Sequence, residues 1–164
     1  MTVISLYLVF AMLAVIWFDM TRFTIPNWLV GSLLLLYPLA VWLSPVAVAW
    51  QSSLLVMISV FAVGYIVFAM KWMGGGDVKL ITALSLWVGV AGLLDFVFLF
   101  AVLGGLLSLV LWLGRKLLLY IPRINAQTLP RILKNGEPVP YGLAIAGAFL
   151  WMLGAGQLAM LSPL

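Results

Sequence analysis

Predominantly apolar stretches, each near the ~20 residues needed to cross the hydrocarbon core of a bilayer, follow one another along almost the whole chain. They cover Val3–Phe18, Trp28–Leu43, Trp50–Met70, Val78–Leu94, Phe96–Leu113 and Tyr141–Leu161. In hydrocarbon every backbone polar group must be satisfied within the chain, so segments of this kind fold as helices. The chain therefore reads as an all-α, polytopic membrane protein with about six transmembrane helices. Composition agrees: 7% of the 164 residues are charged, against roughly a quarter in a soluble domain. The fourth and fifth stretches meet at Asp95, which predicts a tight helical hairpin there. No segment outside the spans is long enough to fold separately, so residues 1–164 read as one transmembrane domain. The first apolar run starts near Met1 with no lysine or arginine before it, unlike a cleavable signal peptide.

The one sizeable loop is Gly114–Pro140. Its Pro122, Pro130, Pro138 and Pro140 oppose a continuous helix. The mixed apolar and basic pieces "RKLLLYI" and "LPRILK" suit the membrane interface and anionic lipid. Arg22, Lys71, Lys79, Arg115, Lys116, Arg123, Arg131 and Lys134 all fall on one side of a six-span topology. The positive-inside rule makes that side cytoplasmic and places both termini outside. The net charge of +4 reflects this asymmetry and gives no reason to expect a nucleic-acid partner. The chain has no cysteine and no histidine. Thiol chemistry is excluded, the commonest general base and metal ligand are missing, and neither metal nor cofactor is expected.

Acidic groups at membrane depth are costly, and by default they are functional candidates. Asp19 closes the first span and Asp77 opens the fourth, so two crossings separate them and they share the cytoplasmic side. Asp95 belongs to the other side, and a surface ion pair with nearby Lys134 accounts for Glu137. This parity singles out Asp19 and Asp77. Two carboxylates held close cannot both ionise cheaply, so one keeps a proton. The ionised member can then activate water while the protonated one polarises a carbonyl, which is aspartic-protease chemistry without a metal. Next to Asp77, Gly74, Gly75 and Gly76 permit positive φ and close approach of a substrate backbone. On that basis Gly76→Val is expected to be severe and Gly75→Ala mild. Equally, the run can be a simple turn, with Asp77 favoured by the dipole of the helix it opens. In "DMTRFTIPN", Pro26 separates two helices and Asn27 can cap the second, while Arg22 can reach toward phosphate.

These stretches together resemble the paired motifs of type IV prepilin peptidases. The family carries an aspartate shortly before an R-x-x-x-I-P-N-like segment, here Asp19 with Arg22, Pro26 and Asn27 of "RFTIPN". A second aspartate sits in Gly-x-Gly-Asp followed by an apolar residue and lysine, here "GGGDVK" with Gly74, Gly75, Gly76, Asp77 and Lys79. A third segment, "PVPYGLAIAGA" at 138–148, is similar to the Pro-(aromatic)-Gly start of the family's last catalytic-domain helix. The resemblance implies a multi-pass aspartic endopeptidase of the bacterial inner membrane, with Asp19 and Asp77 catalytic. The implied substrates are prepilins or pseudopilins, cut at the cytoplasmic face. Such substrates join a short basic leader ending in glycine to a long apolar helix. Larger members insert a cytoplasmic segment before the first aspartate and also N-methylate the product. This chain lacks room for that segment, so it resembles the short form of Flp or tight-adherence systems, without methyltransferase activity; archaeal preflagellin peptidases are a related alternative. Two readings of other classes stand beside it. A small proton-coupled transporter or channel would be expected to show an internal repeat and ionisable groups near mid-membrane. A non-catalytic subunit of a pilus or secretion assembly leaves the two aspartate motifs unexplained.

Overall fold

The protein, seen in a computed structural model that describes residues 2–119, 130–134 and 136–158, carries helix in each of its apolar stretches. The helices are α1 (Thr2–Arg22), α2 (Asn27–Leu43), α3 (Trp50–Ala69), α4 (Gly75–Leu119) and α5 (Tyr141–Gly154), with a 3₁₀ turn at Arg131–Leu133. Val3–Arg22, Trp50–Ala69 and Gly75–Leu118 are long and apolar enough to cross a membrane, and α2 and α5 are shorter apolar helices. Val3, Leu35, Trp42 and Leu94 are each more than three-quarters exposed. An apolar surface of that extent suits lipid and not water. The chain is an integral membrane protein.

The expected hairpin exists, but its corner is elsewhere. Gly89, at φ 68° and ψ −171°, breaks α4 into two arms, 75–88 and 90–119. As one straight helix, α4 would carry Gly104 ~40 Å from Asp77. Instead Gly104 packs against Tyr141, which lines the same cavity as Asp77. The chain therefore turns back at Gly89, and Asp95 lies exposed inside the second arm. A residue at φ 68° suits glycine because it has no Cβ to collide with the following carbonyl. An exposed carboxylate does not itself bend a helix.

The first arm of α4 is the centre of the bundle. Residues 81–88 are buried on every side, as expected of a helix that is apolar all round. α3 lies against it so closely that a Cβ on Gly64 would stand 2.8 Å from Val78, the small-residue contact by which membrane helices gain packing contact. α2 meets it through Trp87, whose indole N–H donates to the Leu33 carbonyl at 3.2 Å and whose ring stacks edge-on with Tyr37. α1 contributes Leu8, Met12 and Val15, and α5 contributes Ile145, Phe149 and Met152. These two helices and the second arm of α4 close the other side.

Several boundaries differ from expectation. α1 continues to Arg22, so Asp19 projects from inside the helix and not from its end. α4 continues to Leu119, turning 114–119 from loop into helix. From this extension Arg115 clamps the segment that leads into α5. Its guanidinium donates to the carbonyls of Ile132 (2.9 and 3.2 Å), Glu137 (2.8 Å) and Pro138 (3.2 Å). Glu137 pairs with Arg131 at 3.0 Å, not with Lys134, because the 3₁₀ turn carries the arginine back toward it. The expected loop residues Tyr120, Ile121, Pro122 and Arg123, and the expected end of the last span at Leu161, lie outside the described residues.

Candidate active site

Asp19 and Asp77 come to one cavity of about 840 Å³, near enough to interact electrostatically. Helix α1 delivers the first. Ile4, Leu8, Met12, Val15 and Asp19 recur at helical spacing on one buried face, so the packing that seats α1 also carries Asp19 inward. The second arrives on the first turn of α4. Gly74 precedes that helix, and the Asp77 carboxylate turns back onto the Gly74 backbone. This is the contact an acidic residue at the third helical position makes with its N-cap. The local preference of a helix start for a carboxylate and the convergence of two carboxylates hold together here.

Asp19 also meets the start of a helix, but one remote in sequence. Its Oδ2 accepts the Leu143 N–H at 3.2 Å, and the Gly142 backbone faces the same carboxylate. α5 begins after Pro140, which supplies no capping side chain. The free N–H groups of its first turn are met by Asp19 instead. Gly142 makes this possible: a Cβ there would lie 2.7 Å from Oδ2 and 3.1 Å from Ile25 Cδ1.

The other residues expected at the site divide. Gly74, Gly75, Gly76, Lys79 and Asn27 line the cavity. Lys79 donates to Asn27 Oδ1 at 3.1 Å, so the two motifs are joined by a side-chain bond. Asn27 therefore does not cap α2, whose N-cap is Pro26. Pro26 and Arg22 stay out of the cavity wall, and the Arg22 guanidinium lies over the Phe18 ring at 5.3 Å. None of the three consecutive glycines has positive φ. Among the described residues the non-glycine left-handed positions are Phe23 (φ 52°) and Lys71 (φ 60°), both on the cavity wall. Lys71 ends α3 with its N–H on the Phe68 carbonyl and the Trp72 N–H on that of Val67, a closure that usually takes glycine.

Phe23, Ile25, Phe68, Trp72, Met73, Val139 and Tyr141 give the cavity its apolar wall. Arg131 lies over the Phe23 ring at 5.0 Å while holding Glu137, so the 130–138 segment is fastened to the cavity rim. Of the residues missed from sequence, Gly142 and Tyr141 had a signal in the "PYG" that opens α5. Phe23, Arg115 and Arg131 had none beyond being aromatic or basic. The described basic residues, Arg22, Lys71, Lys79, Arg115, Lys116, Arg131 and Lys134, lie at this end of the bundle.

Residues 6–109 match the model of the Type IV leader peptidase family. That stretch covers most of the chain and contains both aspartates, so the protein belongs to this family. No curated protein and no solved structure gives a match. The matched region stops before α5, yet α5 supplies the backbone that holds Asp19.

Proposed function

As a member of the type IV leader peptidase family, this chain is, we propose, a membrane aspartic endopeptidase. It removes the basic leader of prepilins or pseudopilins at the cytoplasmic face, with Asp19 and Asp77 as the catalytic pair. The observation that carries the reading is the meeting of these two carboxylates, from separate motifs, in one cavity. The pair shares a proton. Its ionised member takes a proton from the attacking water, and its protonated member donates to the scissile carbonyl oxygen. The cavity of about 840 Å³ is walled in good part by aromatic and aliphatic side chains, which suits the apolar flank of such a substrate. The basic residues at its end of the bundle support a cytoplasmic orientation. The short first connection, which carries Asp19 directly on α1, supports the Flp-type, methyltransferase-less form.

Asp19→Asn and Asp77→Asn should each lower cleavage of a prepilin-type substrate by ~10³-fold or more, while membrane-inserted protein stays at the wild-type level. Asp95→Asn and Glu137→Gln should still cleave. Near wild-type cutting by either active-site variant would remove that residue from the pair.

A further inference from the structure

A leader peptidase must hold more than the scissile bond, because the apolar helix of its substrate follows within the membrane. We infer that this helix docks in the groove between α2 and α3, with its N-terminal end at Asp19 and Asp77; the inference rests on the peptidase reading above.

α2 and α3 are consecutive and yet hardly touch; each packs on the first arm of α4 instead. The gap between them holds a cavity at either end. At the inner end Asn27, the first residue of α2, and Phe68 and Ala69, the last of α3, line the cavity that contains both carboxylates. At the outer end Leu34, Tyr37, Pro38, Val41, Trp50 and Leu54 line a second one of about 480 Å³. Leu86 of the buried arm forms part of it. From Asn27 to Pro38 is ~16 Å along α2, a run that about 11 residues of a docked helix would cover.

Three details favour a peptide helix over bulk lipid. The groove is continuous in direction with the site where the scissile bond must lie. α3 packs on α4 along one side and leaves the rest of its apolar surface open, with Ser53 its one buried residue. And the wall of the outer cavity has polar character: Tyr37, which lines it, carries a buried hydroxyl turned toward Ser53 that makes no hydrogen bond of normal geometry among the described residues. Pro38, lacking an N–H, cannot satisfy the Leu34 carbonyl. A side-chain hydroxyl or amide on a docked helix could donate to that carbonyl, and an acyl chain could not.

The test uses two synthetic substrates with the full-length enzyme in membranes. One carries a basic leader, its terminal glycine and an apolar helix. The other stops a few residues beyond the scissile bond. Leu54→Trp, which fills the outer cavity, should lower kcat/KM for the long substrate by about tenfold and leave the short one unchanged. Leu106→Trp, on the lipid-facing second arm of α4, should change neither. Because the chain has no cysteine, Met57→Cys should form a disulfide with a cysteine placed ~10 residues beyond the scissile bond, whereas Leu106→Cys should not. A wild-type enzyme that cuts only the long substrate is the extreme of the expected result. Equal effects of Leu54→Trp on both substrates, or no disulfide at Met57→Cys, would overturn the docking while leaving the peptidase intact. So would labelling of the groove by a photoactivatable phospholipid chain with long-substrate cleavage unaffected. If the wild type cuts neither substrate, the peptidase reading itself fails.

Discussion

The two ends of this helical bundle solve the same backbone problem differently. At the end away from the carboxylates, α4 reverses at Gly89 and α5 closes at Gly156, both at φ 68°. The α5 closure is complete, with the Gln157 N–H on the Met152 carbonyl and the Gly156 N–H on that of Leu153. Glycine takes both left-handed positions, as chirality favours. At the cavity end the left-handed positions closing α1 and α3 fall on Phe23 and Lys71. Each costs roughly 1–2 kcal/mol relative to glycine, although three glycines lie only a few residues from Lys71. Strain kept where a relaxed residue would serve points to what the side chain does. Phe23 carries the Arg131 stack, and both residues wall the cavity. One end is arranged for stability, the other for its contents.

The largest effect expected from this contrast concerns two glycines with equally tight surroundings. A Cβ on Gly142 would press on the Asp19 carboxylate at 2.7 Å, while one on Gly92 would meet Met152 Cε and Val88 Cγ1 at 2.9 Å. The methionine terminus and the valine methyl can give way without moving a reacting group, but the carboxylate is held by the Leu143 N–H and cannot move without losing its position. Gly142→Ala should therefore lower cleavage by ~10²-fold, the usual cost of misplacing a reacting group by about 1 Å. Gly92→Ala should cleave within about twofold of wild type. Equal losses measured in the same membranes would mean that the carboxylate has no special position to lose.

Much of this was legible from the sequence, and the failures have physical causes. Six apolar segments were readable because a bilayer sets their length. The pairing of Asp19 with Asp77 was readable because crossing parity puts both on one side. The hairpin corner was misplaced because Asp95 carried the polar signal, whereas the turn needed only the backbone freedom of Gly89. The partner of Glu137 was misjudged because sequence nearness favours Lys134, while the 3₁₀ turn at 131–133 brings Arg131 to it. The seat of Asp19 on α5 is a contact between residues 124 positions apart, which no local pattern encodes. The glycine run permits positive φ as well as close approach, and none of its three residues adopts positive φ. Its glycines are there for proximity.

Proximity also ranks the glycines of the run by a smaller effect. Gly75 would place a Cβ 3.2 Å from the Phe68 ring, whereas Gly76 would place one 3.5 Å from Ile25, an ordinary contact. Phe68 closes the last turn of α3 and lines the cavity, so displacing it reshapes the site. Gly75→Ala should lower kcat/KM about three- to tenfold, and Gly76→Ala less than twofold, both with normal membrane levels. The opposite order would mean that backbone conformation and not proximity governs the run.

The smallest effect tests the strain itself. Lys71→Gly relieves roughly 1–2 kcal/mol in the folded state, but the added freedom of glycine stabilises the unfolded chain by about 0.4–1 kcal/mol. The net is a gain of the order of 0.5–1 kcal/mol. At the other end Gly156→Ala runs the same terms backwards and should lose about as much. Both are measurable as shifts of opposite sign in the denaturant midpoint of the detergent-solubilised protein. Cleavage separates the ends further. Lys71→Gly removes a cationic side chain from the cavity wall, so its kcat/KM should fall a few-fold even as the protein becomes more stable. Gly156→Ala should be less stable and equally active. A Lys71→Gly protein that is both more stable and fully active would show strain at the cavity end serving no purpose, and the contrast between the two ends would then reduce to an accident of sequence.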